Sequence, residues 1–373
     1  MEYKTKILTI GVIDADLIGR KRHRFPNLAC MKISAYYKEF GHEVELLTDY
    51  KDLQNYDKVF ISKVFTDTEV PVNILNLSNV EHGGTGFYFD KAPELPYEIE
   101  HHMPDYHLYD KWVKNQLENG VKRKELKEYL DYSIGFLTRG CFRKCGFCVN
   151  QKYNHVFKHS PLEEFYDPSK PKICLLDDNF FGCPKWKEML LELQATGKAF
   201  KFKQGLDERL LTDEKCELLC ASKYDSDMTF AFDNIEDYEL IESKLKILRK
   251  YTQRQFIFYV LCGFDKNEKY DKEFWIRDIE DVFKRIELLM KYGCIPYIMR
   301  FNKYKESPFR GMYITIARWC NQPSFFKKKS LREFGILNGL NSACNRYIYE
   351  YLKEVPKAEK YLDIKYENFK NNK

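Results

Sequence analysis

From Ser133 to Phe301 the chain repeats one pattern, a short apolar run followed by an amphipathic helical stretch, and this alternation constrains its fold more than any other feature. Candidate strands begin near Ile134, Lys172, Lys201, Met228, Gln255 and Ile295. Helical stretches fall between them at Pro184 to Thr196, Thr212 to Ser222, Glu236 to Tyr251 and Lys272 to Tyr292. Parallel strands need long crossover connections, and a spacing of about 30 residues per unit supplies them. The pattern predicts an α/β fold with a partial barrel of six strand-helix units, fewer than the eight of a full barrel.

Upstream, Ile7 to Val12 reads as a buried strand, Leu28 to Phe40 as a helix ended by Gly41, and Val44–Leu47 and Lys58–Ile61 as two further strands. This order predicts a Rossmann-like parallel-sheet module over residues 1–90, with any ligand beyond the carboxyl ends of its strands. Residues 91–132 carry Pro93, Pro96 and Pro104 and read as a connecting segment. Their histidines His101, His102 and His107 lack a nearby cysteine and read as ordinary loop residues. The barrel then spans 133–300, and 301–373 is a basic, aromatic C-terminal extension. The glycine-rich turn His82-Gly83-Gly84-Thr85-Gly86 has no phosphate-binding pattern around it.

The chemistry is concentrated in Gly140-Cys141-Phe142-Arg143-Lys144-Cys145-Gly146-Phe147-Cys148, directly after the first barrel strand. Given the 12 cysteines in 373 residues, this C-x3-C-x2-C triple is expected ~0.01 times per chain by chance. Closely spaced thiolates select iron-sulfur clusters or zinc. A cubane cluster held by three cysteines keeps one iron open for a substrate or cofactor. The zinc reading draws on His155 and His159 as further ligands. Six residues separate Cys148 from His155, whereas a finger needs about 12 to fold its helix under the metal.

The run resembles the cluster motif of the radical S-adenosylmethionine (radical SAM) superfamily, Phe147 matching the aromatic residue before its last cysteine. The resemblance implies a 4Fe-4S cluster on Cys141, Cys145 and Cys148, with S-adenosylmethionine chelating the fourth iron. Reductive cleavage of the sulfonium would give a 5'-deoxyadenosyl radical that takes hydrogen from a substrate. It also implies a radical SAM-type partial (β/α)6 barrel, whose cluster loop follows the first strand as here, and an electron donor such as flavodoxin or ferredoxin.

Barrel enzymes carry their chemistry at the carboxyl ends of strands. Cofactor-binding candidates there are Asp177, Asp178 and Asn179 after the second strand, Asp207 and Arg209 after the third, Asp233 and Asn234 after the fourth, and Gly263 after the fifth, with Phe147 in the loop. Carboxylates and amides suit the ammonium and ribose of S-adenosylmethionine, Arg209 suits its carboxylate, and Gly263 permits close approach to adenine. Asp177-Asp178-Asn179 stands where the superfamily commonly has a glycine-glycine-glutamate element, and helix capping competes with a ligand role at each of these polar positions.

In the first module, Asp14-Ala15-Asp16-Leu17-Ile18-Gly19 resembles the cobalamin motif of cobalamin-binding Rossmann domains. Asp16 stands where the cobalt-ligating histidine would be, so cobalamin is a possible cofactor without its usual ligand.

The nine other cysteines show no disulfide spacing, which suits a reducing compartment. The apolar run after Met1–Lys6 is too short for a signal peptide, and no stretch reaches the ~20 apolar residues of a membrane span. A cytoplasmic protein is expected. The net charge of +5 concentrates at Arg20–Arg24 and Lys327–Arg332, which makes RNA, tRNA in particular, the leading substrate expectation ahead of a small metabolite or peptide. The alternative to a radical SAM enzyme is a non-catalytic, zinc- or cluster-stapled nucleic-acid-binding protein. A relative that keeps the cluster only for redox sensing is the third reading.

Overall fold

Strands β1 (Thr9–Asp14), β2 (Glu43–Leu46), β3 (Lys58–Ser62) and β4 (Val80–Gly83) form a parallel sheet in the order β2-β1-β3-β4. Helix α1 (Leu28–Glu39) makes the crossover from β1 to β2, and its N-terminus is capped by Asn27, whose side chain accepts the Cys30 N–H at 3.2 Å. Ile10 and Val12 pack with Cys30, Met31 and Ile33 on one face of β1, while Ile13 packs with Val59 and Ile61 on the other. Burial on both faces explains why β1 reads as a continuous apolar run. The structure, a computed structural model, describes residues 6–366. Residues 1–5, read above as the lead-in to the first strand, and 367–373, the end of the C-terminal extension, lie outside the described residues.

The stretch 91–132 is built into the first core. Ile99, Tyr106, Leu108, Tyr109, Val113, Leu126 and Tyr129 share one buried cluster with Ile10 and Val12. Tyr106 also accepts the Ile134 N–H at 2.8 Å and donates to the Phe165 carbonyl at 2.6 Å, which ties this stretch to the next sheet.

Next come β5 (Tyr132–Gly135), a short antiparallel pair β6 (Thr138–Arg139) and β7 (Phe157–Lys158), then β8 (Lys172–Leu175) and β9 (Ala199–Phe202). β5, β8 and β9 form a three-stranded sheet, with β5 and β8 parallel. β10 (Met228–Ala231), β11 (Phe256–Cys262) and β12 (Ile295–Arg300) form a second, fully parallel one. The six strands anticipated from the sequence are present, arranged as two three-stranded sheets. The intervening helices are α2 (Trp186–Ala195), α3 (Asp213–Ala221), α4 (Tyr238–Tyr251) and α5 (Lys272–Lys291). Ile241, Leu245 and Leu248 of α4 recur at the three- and four-residue spacing of a buried helix face.

The chain divides into two compact units. Among the described residues, one runs to Lys144 and includes Cys148–Lys201; the other is Cys145–Phe147 with the chain from Phe202 onward. In the latter, α6 (Arg310–Cys320) and α7 (Ala343–Glu354) follow β12. Trp319 and Phe326 of the aromatic, basic run are buried against each other, with the Trp319 indole donating to the Lys329 carbonyl at 2.9 Å. These two rings serve the core. Among the described residues no helix is long and apolar enough to cross a membrane.

Candidate functional site

The cysteine run lies between β6 and β7, whose pairing of Thr138 with Lys158 and Arg139 with Phe157 closes the base of the loop. Gly140 opens it at φ +89°, a left-handed conformation; a Cβ there would lie 2.4 Å from the His155 carbonyl oxygen. Only glycine fits such a position. Lys144 donates to the Gln151 carbonyl and, at 2.5 Å, to that of Tyr153, while the Gln151 amide donates to the Cys148 carbonyl at 2.9 Å.

All three cysteines are half-buried. The Cys141 sulfur accepts the Arg143 backbone N–H and the Asn179 side-chain N–H, each at 3.3 Å, and the Cys148 sulfur accepts the Asn150 N–H at 3.4 Å. Both sulfurs thus have N–H donors directed at them. Cys145 belongs with Gly146 and Phe147 to the second unit. There Phe147 meets Phe264 edge to face at 5.3 Å, and Phe264 meets Phe301 likewise at 5.0 Å. Gly146 leaves room for this seat, since a Cβ would come within 2.9 Å of the Phe264 ring.

The residues that follow β8 turn toward the same loop. Asp177, 1% exposed, accepts the Leu137 N–H at 3.2 Å, the Thr138 N–H at 2.7 Å and the Thr138 hydroxyl at 2.6 Å. Asp178 accepts the Gly140 N–H at 3.0 Å, and Asn179 donates to Cys141. Three consecutive side chains therefore hold Thr138, Gly140 and Cys141 in order. Burial pushes Asp177 up to about 7 against the pull of the Thr138 and Leu137 donors. It raises Asp178 as well, against the Gly140 N–H and the Arg139 charge.

The other candidates have intramolecular partners. Arg209 donates to Asp207 at 2.7 Å and to Asp237 at 3.0 Å; against the downward push of burial, these carboxylates hold its pKa above the ordinary arginine value. Asp233 accepts the Leu261 N–H at 3.1 Å and is raised by burial. Asn234 caps the turn Ile235–Asp237 by accepting the Glu236 N–H. Gly263 has φ +75° and donates its N–H to Asp278 at 2.8 Å, while Tyr304 occupies the space where a side chain would project.

Two contributors went unread in the sequence. Gly182 packs so closely that a Cβ would lie 2.8 Å from Val156 Cγ2 and 2.9 Å from Phe142 Cε1. Arg285, 2% exposed on α5, donates from one nitrogen to the carbonyls of Phe232, Asp233 and Leu261 at 2.9, 3.0 and 2.9 Å, gathering the ends of β10 and β11. An arginine among apolar helix positions was the available hint.

The histidines go to separate partners. His159 lies 3.5 Å from Glu100 and stacks on His101, and burial together with the Arg139 charge lowers it to about 4. His101, His102 and His107 pair with Glu164, Glu39 and Asp110 respectively. Among the described residues no three His, Cys, Asp or Glu side chains are gathered closely enough to hold one metal ion. A zinc ion collects its four ligands in one sphere, whereas a cubane carries its thiolates on separate irons.

In the first module Asp14 is buried; it accepts the N–H groups of Asp16 and Leu17 and the Tyr109 hydroxyl. Asp16 is buried too and accepts the Val64 N–H at 2.7 Å and the Thr68 hydroxyl. Its carboxylate thus joins the loops after β1 and β3.

No family model and no curated protein matches the chain. Solved structures that match include those of the cobalamin-dependent S-adenosylmethionine radical enzyme OxsB. One, with aqua-cobalamin bound, has TM-score 0.37 and 14% identity over 96% of this chain and 56% of that one. Another, the apo form, has TM-score 0.39 and 13% identity over 95% and 61%. The chain therefore spans little more than half the length of these neighbours.

Proposed function

We propose that the chain is a radical S-adenosylmethionine enzyme with one 4Fe-4S cluster on Cys141, Cys145 and Cys148, built on a partial barrel of the six strands β5, β8, β9, β10, β11 and β12. The observation that carries this reading is the loop itself: an improbable cysteine triple with the superfamily's spacing, closed at its base and anchored by Asp177 and Asp178. When bound and reduced, such a cluster would supply the electron that cleaves S-adenosylmethionine to methionine and a 5'-deoxyadenosyl radical, which becomes 5'-deoxyadenosine on taking a hydrogen atom from the substrate.

The chain's own residues prepare that chemistry. The Arg143 and Asn150 N–H groups donate to the Cys141 and Cys148 sulfurs and orient them. Asp177 and Asp178 hold the loop's entry at Thr138 and Gly140. Phe147, seated on Phe264, fixes the second turn of the loop. In this reading Arg209 takes the carboxylate of S-adenosylmethionine by exchanging its contact with Asp237, and Asp207 stays as its orienting partner. Electrons come from a flavodoxin or ferredoxin, as the resemblance implies. The first module acts without a protein ligand to cobalt at Asp16.

The substrate class is proposed more broadly than RNA. Arg20 already pairs with Asp67 and lies 4.1 Å from the Phe65 ring centroid, and Arg332 pairs with Asp363 and Glu359, so one cation of each basic run is paired internally. Oxygen-free reconstitution with iron and sulfide tests the reading. The wild type is expected to hold about four irons per chain, and Cys141→Ala, Cys145→Ala and Cys148→Ala each to lose most of them. A colourless wild type that retains zinc would favour the stapled, non-catalytic alternative.

A further inference from the structure

We infer that Asn179 is a positioning residue that sets the reduction potential of the cluster through its amide hydrogen bond to Cys141; this rests on the cluster reading above. The Asn179 side-chain nitrogen lies 3.3 Å from the Cys141 sulfur, and the residue is 2% exposed. Its position is fixed from both sides. Its carbonyl accepts the Gly182 N–H at 2.9 Å, closing the turn Phe180–Gly182. Gly182, lacking a side chain, lets the Phe142 ring approach this turn, so the residue beside Cys141 packs against the turn that carries the amide.

The physical consequence follows from charge. Reducing a cluster adds one negative charge, part of which resides on the thiolate sulfurs. A donor aimed at one of those sulfurs is worth more to the reduced state than to the oxidised one, and hydrogen bonds to sulfur are among the levers that set iron-sulfur potentials. The Arg143 and Asn150 donors are backbone N–H groups that survive substitution; Asn179 uses a side chain, which can be removed. Only the part of this bond's energy that differs between redox states moves the potential. The expected effect of losing it is about a tenfold fall in the reduced-to-oxidised ratio at fixed potential, or about 59 mV for one electron.

The test is a redox titration, followed by electron paramagnetic resonance, of the full chain reconstituted without oxygen, as wild type, Asn179→Ala and Asn179→Asp. Alanine is expected to lower the reduced-to-oxidised ratio about tenfold at the wild-type midpoint, from half reduced to about one tenth reduced. Aspartate, which matches asparagine in size, should lower it further, because it replaces the donor with a negative charge. Any variant that loads iron decides the matter, and a wild-type midpoint in such a variant overturns the inference while leaving the cluster reading intact. If neither variant loads iron although both keep the wild-type circular dichroism, Asn179 only builds the loop and the inference fails. A wild type that assembles no cluster overturns the underlying reading itself.

Discussion

The Asp178 carboxylate accepts the backbone N–H of Gly140 at 3.0 Å, so a residue just past the end of β8 fixes the position immediately before the first cysteine of the loop. Asp177, one residue earlier, takes three donors from Leu137 and Thr138. The adjacent aspartates divide the task. One holds the loop, and the other holds the strand end from which the loop departs.

Their substitutions should therefore differ. Asp178→Ala is expected to lower iron retention after reconstitution several-fold while costing about 1–2 kcal/mol in global stability. Asp177→Ala orphans three buried donors and should cost about 3 kcal/mol or more. Iron content and urea midpoints measured on both variants separate the two roles; equal loss of stability would contradict the division.

Gly182→Ala should damage the loop from the opposite side. The added methyl would fall 2.8 Å from Val156 and 2.9 Å from the Phe142 ring, and such overpacking costs about 1–3 kcal/mol. Reduced iron loading with a lowered melting temperature is the expected pair of changes. Wild-type behaviour in both would show that Phe142 moves away freely.

Arg285→Met should destabilise the β10–β11 end strongly. It leaves the carbonyls of Phe232, Asp233 and Leu261 without their buried donor. A loss of about 3–5 kcal/mol is expected, measured by denaturant unfolding. A loss below about 1 kcal/mol would mean that the three carbonyls find other donors.

Asp14 predicts a pH dependence. Burial raises its carboxyl from 3.8 to about 7 in the fold. Between those values the native state holds a proton that the unfolded chain has released, so this group's contribution to stability is complete below about pH 4 and is lost as pH rises toward 7. Asp14→Asn removes that slope, up to about 1.4 kcal/mol per pH unit. Melting temperatures at pH 5 and pH 7 should therefore shift in favour of the variant at the higher pH. A wild-type slope in the variant would contradict the assignment to Asp14.

How far these features were legible in the sequence depended on their locality. Lys172, Met228 and Ile295 start strands as their apolar runs indicated, because such runs encode local burial. β4 went unread, since Val80-Glu81-His82-Gly83 neither alternates nor forms an apolar run. Prolines marked 91–132 as a connector, yet its Ile99, Tyr106 and Tyr109 are buried with β1, a packing that no local period announces. A strand continued past Leu175 would put Asp177 and Asp178 on opposite faces. Both reach one loop because β8 ends at Leu175 and alternation ends with it. The contact of Arg209 with Asp237, 28 residues away, likewise depends on the tertiary fold.

The most direct measurement of the central claim is 5'-deoxyadenosine release from S-adenosylmethionine by the reconstituted, dithionite-reduced protein, run beside Cys145→Ala. The account predicts release from the wild type and none above background from the variant. A brown, cluster-bearing wild type that releases none, or equal release from both proteins, would contradict it.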